Sequence, residues 1–218
     1  MIQEMTIKDA LAHEMDLLAQ AAADPSQRYI VFWQSDQALV APRKLTGNPN
    51  FARAEAELAD MGWPVHTRAT GGDVTPQGPG IVNVSLVYAP KGPPDIDATY
   101  DTLCTPMEHA LGPEASRGWN PGAFCDGAYN VQWRGKKFAG TAQRFKRCAG
   151  ADRSAVLAHA LMLMTPPSAQ AITALNTFLE ILGEPRRIEK DCHTGLPNNQ
   201  TQTEFIQKLH TAYTARLS

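Results

Sequence analysis

The stretch Phe124-Cys-Asp-Gly-Ala-Tyr-Asn-Val-Gln-Trp-Arg-Gly-Lys-Lys-Phe-Ala-Gly-Thr-Ala-Gln-Arg144 decides how this chain is read. Ala128 to Trp133 and Lys137 to Phe145 have the composition of two strands, with Arg134-Gly135-Lys136 as the turn between them. The hairpin separates Cys125 from Lys137, a thiol that can carry an acyl group and a cation that can hold an oxygen on which negative charge develops. If Lys137 begins a strand, Lys136 and Lys137 point to opposite faces, so one is solvated while the other enters a cleft.

Upstream, Arg68-Ala-Thr-Gly-Gly-Asp73 opens a glycine-rich segment running to Gly80. Glycines let backbone N–H groups approach an anion, and Arg68 could fork onto a phosphate or carboxylate. From the residues alone, Gly71 and Gly72 fit a tight hairpin equally well, the Lys136-Lys137 pair fits a solvated turn, and Cys125 fits a small buried hydrophobe.

The remaining chain alternates helical and strand patterns. Ile7 to Ala23, Asp97 to Leu111, Ser168 to Leu182 and Thr203 to Leu217 have helical apolar spacing. A further helix is expected from Asn48-Pro49, with Asn48 as its cap. Arg28 to Trp33 reads as a strand with Ala38 to Ala41 as its neighbour across a turn at Ser35 to Gln37, and Pro64 to Ala69 as a strand leading into the glycines. Ile81 to Tyr88 is the clearest strand, with Val82, Val84, Leu86 and Tyr88 on one apolar face expected towards the core. Ala155 to Met164 is apolar and ambiguous between helix and strand. Successive strands joined by short turns predict an α+β fold with a mixed, largely antiparallel sheet flanked by helices. The expected organisation is one catalytic domain over residues 1–218 with no separate accessory domain; the best boundary candidate, Glu184 to Asn199, would isolate only one helix.

A net charge of −2 gives no global field for nucleic acid, so no nucleic-acid partner is expected. No apolar run reaches the length of about 18 residues that a membrane span needs, and Met1 to Ala10 lacks an apolar signal core, so a cytoplasmic protein with no membrane association is expected. The four cysteines form no CxxC pair and are read as free thiols; Cys104 lies on a helical core face. The six histidines show no metal spacing, and no metal site is expected in the fold; His159 sits within an apolar run as a candidate core histidine.

These residues resemble the biotin/lipoate protein ligase superfamily, specifically lipoate–protein ligase A and the octanoyltransferases related to it. Arg68-Ala-Thr-Gly-Gly is similar to the family's Arg-x-x-Gly-Gly-Gly loop, Gly80-Ile-Val-Asn83 to its Gly-Asn-x-Asn, and Lys137-Phe-Ala-Gly-Thr-Ala-Gln143 to its Lys-[Ile/Val]-[Ser/Ala]-Gly-[Ser/Thr]-Ala-Gln. Cys125-Asp-Gly-Ala-Tyr-Asn-Val131 resembles the Cys-x-Gly-x-Tyr-Asp-Leu stretch of cysteine-dependent octanoyl amidotransferases. The pattern departs at Asp73 (a third glycine in the family), Gln77 (a histidine), Ala41-Pro42-Arg43 (Gly-Arg-Asn) and His159-Ala-Leu-Met162 (His-Gly-Thr-Leu).

The resemblance implies an acyltransferase moving an octanoyl or lipoyl group to a lysine of a lipoyl domain. Cys125 and Lys137 would be catalytic, and Arg68, Gly71, Gly72, Asn83, Gly140, Thr141, Ala142 and His159 would bind substrate, with the apolar face of Ile81 to Tyr88 helping to line the acyl tunnel. It needs no cofactor. Its partners would be lipoyl-domain proteins (glycine cleavage H protein or a 2-oxoacid dehydrogenase E2) or acyl carrier protein. Two alternatives stay open: an ATP- and Mg-dependent ligase forming lipoyl-AMP in the same cleft, and an inactive member that only binds an acyl group or a lipoyl domain.

Overall fold

The computed structural model describes residues 1–150 and 152–218. Its centre is a mixed, largely antiparallel sheet of seven strands, β1 (Ile2–Glu4), β2 (Arg28–Gln34), β6 (Ile81–Tyr88), β7 (Ala115–Arg117), β8 (Val131–Trp133), β9 (Lys136–Arg147) and β10 (Ser154–Leu163), in the order β1-β2-β6-β10-β9-β8-β7. A second sheet of three strands holds β3 (Ala38–Pro42), β4 (Val65–Arg68) and β5 (Thr75–Gln77), with β3 in the middle.

Helix α1 (Ile7–Ala23) covers one face of the large sheet. Thr6 caps it by accepting from the Asp9 N–H, and Ile7, Ala10, Leu17, Leu18 and Ala21 pack onto Val31, Trp33, Val87 and Leu157. Glu14 lies on this same buried stripe. Helices α3 (Ile96–Leu111) and α5 (Gln202–Leu217) cover the other face, where Val82, Val84, Leu86 and Tyr88 meet Leu103, Met107, Phe205 and Leu209. A Thr201/Glu204 capping box starts α5, a device worth about 1 kcal/mol. Helices α2 (Phe51–Asp60) and α4 (Ala169–Ile181) pack with the small sheet into a third apolar cluster that includes Phe124, Cys125 and Leu161.

The expected helices and the α+β class are present, and Ala155 to Met164 resolves as a strand because it fills the slot between β6 and β9, pairing with both. Three expectations need correction. The strand Ala38–Pro42 is not a neighbour of β2: both edges of β2 are taken, by β1 and β6, so the chain leaves the sheet and begins the second one. Asn48 does not cap α2. Its side chain instead donates to Leu182 O and accepts from the Asn50 N–H, and the helix begins at Phe51. The apolar face of β6 is sealed under α3 and α5 and lines no acyl tunnel. The segment after α4, the best boundary candidate in the sequence, returns to the large sheet: Thr194 N–H donates to Lys137 O at 2.9 Å, and Glu189 N–H to Gly122 O at 2.8 Å.

Strand register prepares the site. Leu161 pairs with Gly140 on β9 and Asn83 on β6, and His159 pairs with Ala142 and Ser85, so residues far apart in sequence share one patch.

Candidate active site

Cys125 lies in the loop between β7 and β8 with φ of 45°, a left-handed conformation that costs a non-glycine residue about 1–2 kcal/mol. Such strain persists only where the surroundings over-determine it. Here they do. Lys137 Nζ donates to Phe124 O at 2.5 Å and to Cys125 O at 2.8 Å. Phe124 N–H donates to His193 Nε2 at 3.2 Å, and the two rings stack with centroids 4.7 Å apart. On the far side, Asp126 Oδ1 accepts from Asn120 N–H, Gly127 N–H and Asn130 Nδ2 at 2.6, 2.8 and 3.0 Å.

The thiol faces the glycine loop. Asp73 N–H donates to Cys125 Sγ at 3.2 Å, and Arg68 Nη2 stands 4.0 Å from the same sulfur. A negative sulfur would therefore meet one backbone donor and one guanidinium, both favourable to it. The N–H aimed at the thiol belongs to Asp73, one residue past the glycine pair. Gly72 makes the approach possible: at φ of +96°, a Cβ there would sit 2.8 Å from Cys125 Sγ and 3.0 Å from Arg68 Nη2.

Arg68 does not reach out to an anion. Its guanidinium donates to Val40 O, Gly71 O and Asp73 O at 3.0, 2.9 and 2.8 Å, and so shapes the loop from within. The Asp73 carboxylate is ion-paired to Arg186 from the segment after α4.

Lys137 is fully buried while Lys136 is exposed, as the strand geometry required. Burial pulls the Lys137 ammonium down to about 8, against Cys125, Asp126 and Asp73, which work to raise it. The ammonium also lies 4.7 Å from the Phe124 ring centroid. Gly140 leaves it room, because a Cβ there would come within 3.0 Å of Nζ. His193 is buried beside this group; burial first, then the Lys137 charge, pulls its imidazole down to about 4, so it stays neutral and accepts the Phe124 N–H.

Two cavities meet at Cys125, and Cys125, Thr141 and Ala142 line both. One is a narrow slot of about 40 Å³, with Leu11, Trp33, Val40 and Leu161 among its walls and Glu14 and His159 in its lining. Glu14 Oε1 lies 3.0 Å from His159 Nδ1 and accepts from Ser85 Oγ at 2.6 Å, and Trp33 Nε1 donates to Ser85 Oγ at 3.0 Å. Burial works to raise the Glu14 carboxyl, but His159 and Ser85 outweigh it and hold the group below its ordinary value. The other cavity, about 210 Å³, is lined by Gly71, Gly72, Tyr100, Asp126 and Tyr129. Asn83 lines neither; it exchanges two hydrogen bonds with Gln77, which does line the slot.

The structure thus gathers Arg68, Gly71, Gly72, Cys125, Lys137, Gly140, Thr141, Ala142 and His159, with Asn83 one residue behind. It adds Glu14, Arg186 and His193, which the motifs do not contain, and it makes the backbone of Asp73, a departure from the family pattern, a donor to the thiol. A carboxylate on the apolar stripe of α1 was the available signal for Glu14. A strained, buried thiol with an N–H donor, open on both the slot and the cavity walled by Tyr100, Asp126 and Tyr129, can take an acyl group from one molecule and give it to another.

The family model of the lipoyl protein ligase A/B catalytic domain matches residues 6–192. An uncharacterised protein of Cupriavidus necator is 36% identical over 185 residues, covering 78% of this chain and 72% of its own. An octanoyl-[GcvH]:protein N-octanoyltransferase of Kyrpidia tusciae is 30% identical over 204 residues, covering 89% of this chain and 69% of its own. Among solved structures, a lipoate-protein ligase A bound with ATP superposes with a TM-score of 0.71 at 16% identity, covering 100% of this chain and 83% of that one, a likeness of fold. On the match over residues 6–192, this chain belongs to the lipoyl protein ligase A/B catalytic-domain family.

Proposed function

We propose that this chain transfers an octanoyl or lipoyl group to a lysine of a lipoyl-domain protein through a thioester on Cys125, in keeping with relatives named octanoyl-[GcvH]:protein N-octanoyltransferases. The observation that carries the reading is Cys125 Sγ, held by the Asp73 N–H at the junction of the two cavities. The acyl chain lies in the slot lined by Leu11, Trp33, Val40 and Leu161, beside His159 and between Gly140 and Ala142. The Cys125 thiol gives up its proton and attacks the acyl carbonyl of a carrier protein; the new C–S bond forms, the carrier's own C–S or C–N bond breaks, and the departing thiol or lysine amine takes the proton that Cys125 lost. The acceptor lysine then attacks the thioester and the thiolate leaves. Lys137 and His193 hold the loop on which Cys125 sits, and the Lys137 ammonium lends its positive field to charge developing at the carbonyl oxygen.

GcvH, named in the relatives and taken as the glycine cleavage H protein, is the first donor to test, with a 2-oxoacid dehydrogenase E2 lipoyl domain as acceptor. ATP-driven ligation fits these residues poorly: the Arg68 guanidinium is occupied by loop carbonyls, and the loop carries the Asp73 carboxylate where a polyphosphate would lie. The deciding experiment follows octanoate from octanoylated H protein to an unmodified E2 lipoyl domain without nucleotide. Transfer that appears only with ATP and free acid would refute the thioester route.

A further inference from the structure

The acceptor's nucleophile is an amine that is protonated at neutral pH, and an ammonium cannot attack a thioester. Something beside Cys125 must receive that cation and its proton. The 210 Å³ cavity has the chemistry for it. Tyr100 and Tyr129 stack at 3.8 Å between centroids and form an aromatic wall, which suits both an alkyl stem and a cationic head. Thr141 Oγ1 fixes this wall by donating to Tyr129 O at 2.9 Å. Asp126 lines the same cavity immediately after Cys125 in sequence.

The two oxygens of Asp126 are used differently. Oδ1 is locked by its three donors, Asn120 N–H, Gly127 N–H and Asn130 Nδ2. Oδ2 takes no hydrogen bond among the described residues, and Asp126 is only half-buried where it lines the cavity. A carboxylate held rigid through one oxygen and open through the other is a preorganised acceptor. The slot that shares Cys125 with this cavity has Leu11, Trp33, Val40 and Leu161 among its walls, a lining for an acyl chain.

We propose that the cavity lined by Tyr100, Asp126 and Tyr129 is the acceptor-lysine channel, and that Asp126 binds the incoming ammonium and removes its proton. The assignment rests on the thioester reading of Cys125. The step balances as follows. Asp126 Oδ2 takes one proton from the ammonium and later releases it to solvent. The neutral amine attacks the thioester carbonyl; the C–N bond forms and the C–S bond breaks. The second proton lost from nitrogen goes to the departing Cys125 thiolate, restoring the thiol.

Asp126→Asn tests this, because an asparagine Oδ1 keeps an acceptor facing the locking donors while the charge and basicity are lost. The protein is incubated with S-octanoyl-N-acetylcysteamine, and loading of Cys125 is read by intact mass; an unmodified E2 lipoyl domain is then added and its octanoylation timed across pH. Loading and discharge are timed separately; the expected result is that D126N slows discharge about 100-fold while slowing loading by no more than about tenfold, with the rising limb of the discharge profile displaced upward. Transfer by D126N within twofold of the unaltered protein overturns the assignment. So does a D126N protein whose loading and discharge slow by the same factor, which would assign Asp126 to the support of the nucleophile's loop alone. An unaltered protein that never forms the thioester sinks the Cys125 reading itself, a result distinct from either of these.

Discussion

The Asp73 N–H reaches Cys125 Sγ at 3.2 Å only because the residue before it, Gly72, carries no side chain. A Cβ at Gly72 would stand 2.8 Å from the sulfur in a left-handed backbone. Gly72→Ala is therefore expected to cost about 1–3 kcal/mol of stability and to move the donor off the thiol. Its rate of alkylation by iodoacetamide at neutral pH, compared with the unaltered protein, should fall about tenfold. An alanine variant with unchanged alkylation and transfer rates would show that the loop does not tune the thiol.

Lys137 holds two carbonyls of the nucleophile's loop with a fully buried ammonium. Replacing a buried cation by an apolar side chain of similar length removes a desolvation penalty as well as hydrogen bonds. Lys137→Met is expected to leave thermal stability within about 2 kcal/mol of the parent while lowering octanoyl transfer by about 100-fold or more. Calorimetry paired with a transfer assay separates the two effects; equal collapse of both would assign Lys137 to the core alone.

His193 sets a pH dependence. Its folded value of about 4 lies below the ordinary 6.5, so the unfolded chain binds the extra proton first as pH falls. The stability that neutral His193 contributes is complete above about 6.5 and is lost progressively between about 6.5 and 4. Urea unfolding should show stability dropping by about 3 kcal/mol across this window, one pKa unit being worth about 1.4 kcal/mol. In His193→Gln, whose amide nitrogen and oxygen do not titrate there, that drop should be absent. A parallel drop in both proteins would place the titration elsewhere.

Much of the fold was legible because its signals are local. The stripe of Ile7, Ala10, Leu17 and Leu18 reads as a helix wherever α1 docks, and the alternation from Ile81 to Tyr88 reads as a strand. Partner choice is not local: Ala38–Pro42 has the composition of a neighbour to β2, and only the occupation of both β2 edges by β1 and β6 sends it to another sheet. The site shows the same division. Cys125, Lys137 and the glycine pair stand in contiguous motifs and could be read directly. Glu14, Arg186 and His193 arrive from the first helix and from the segment after α4, brought in by docking that no short pattern encodes. Arg68 illustrates the converse, since its place in a motif suggested anion binding while its hydrogen bonds tie it to its own loop.

The account depends on an acyl group residing on Cys125. The most direct test is the intact mass of the protein after brief incubation with octanoylated H protein and no nucleotide, followed by peptide mapping. The account predicts one octanoyl group, placed on Cys125, absent from Cys125→Ser and discharged when an unmodified lipoyl domain is added. A Cys125→Ser protein that transfers octanoate at the parent rate, or an adduct on any other residue, would contradict it.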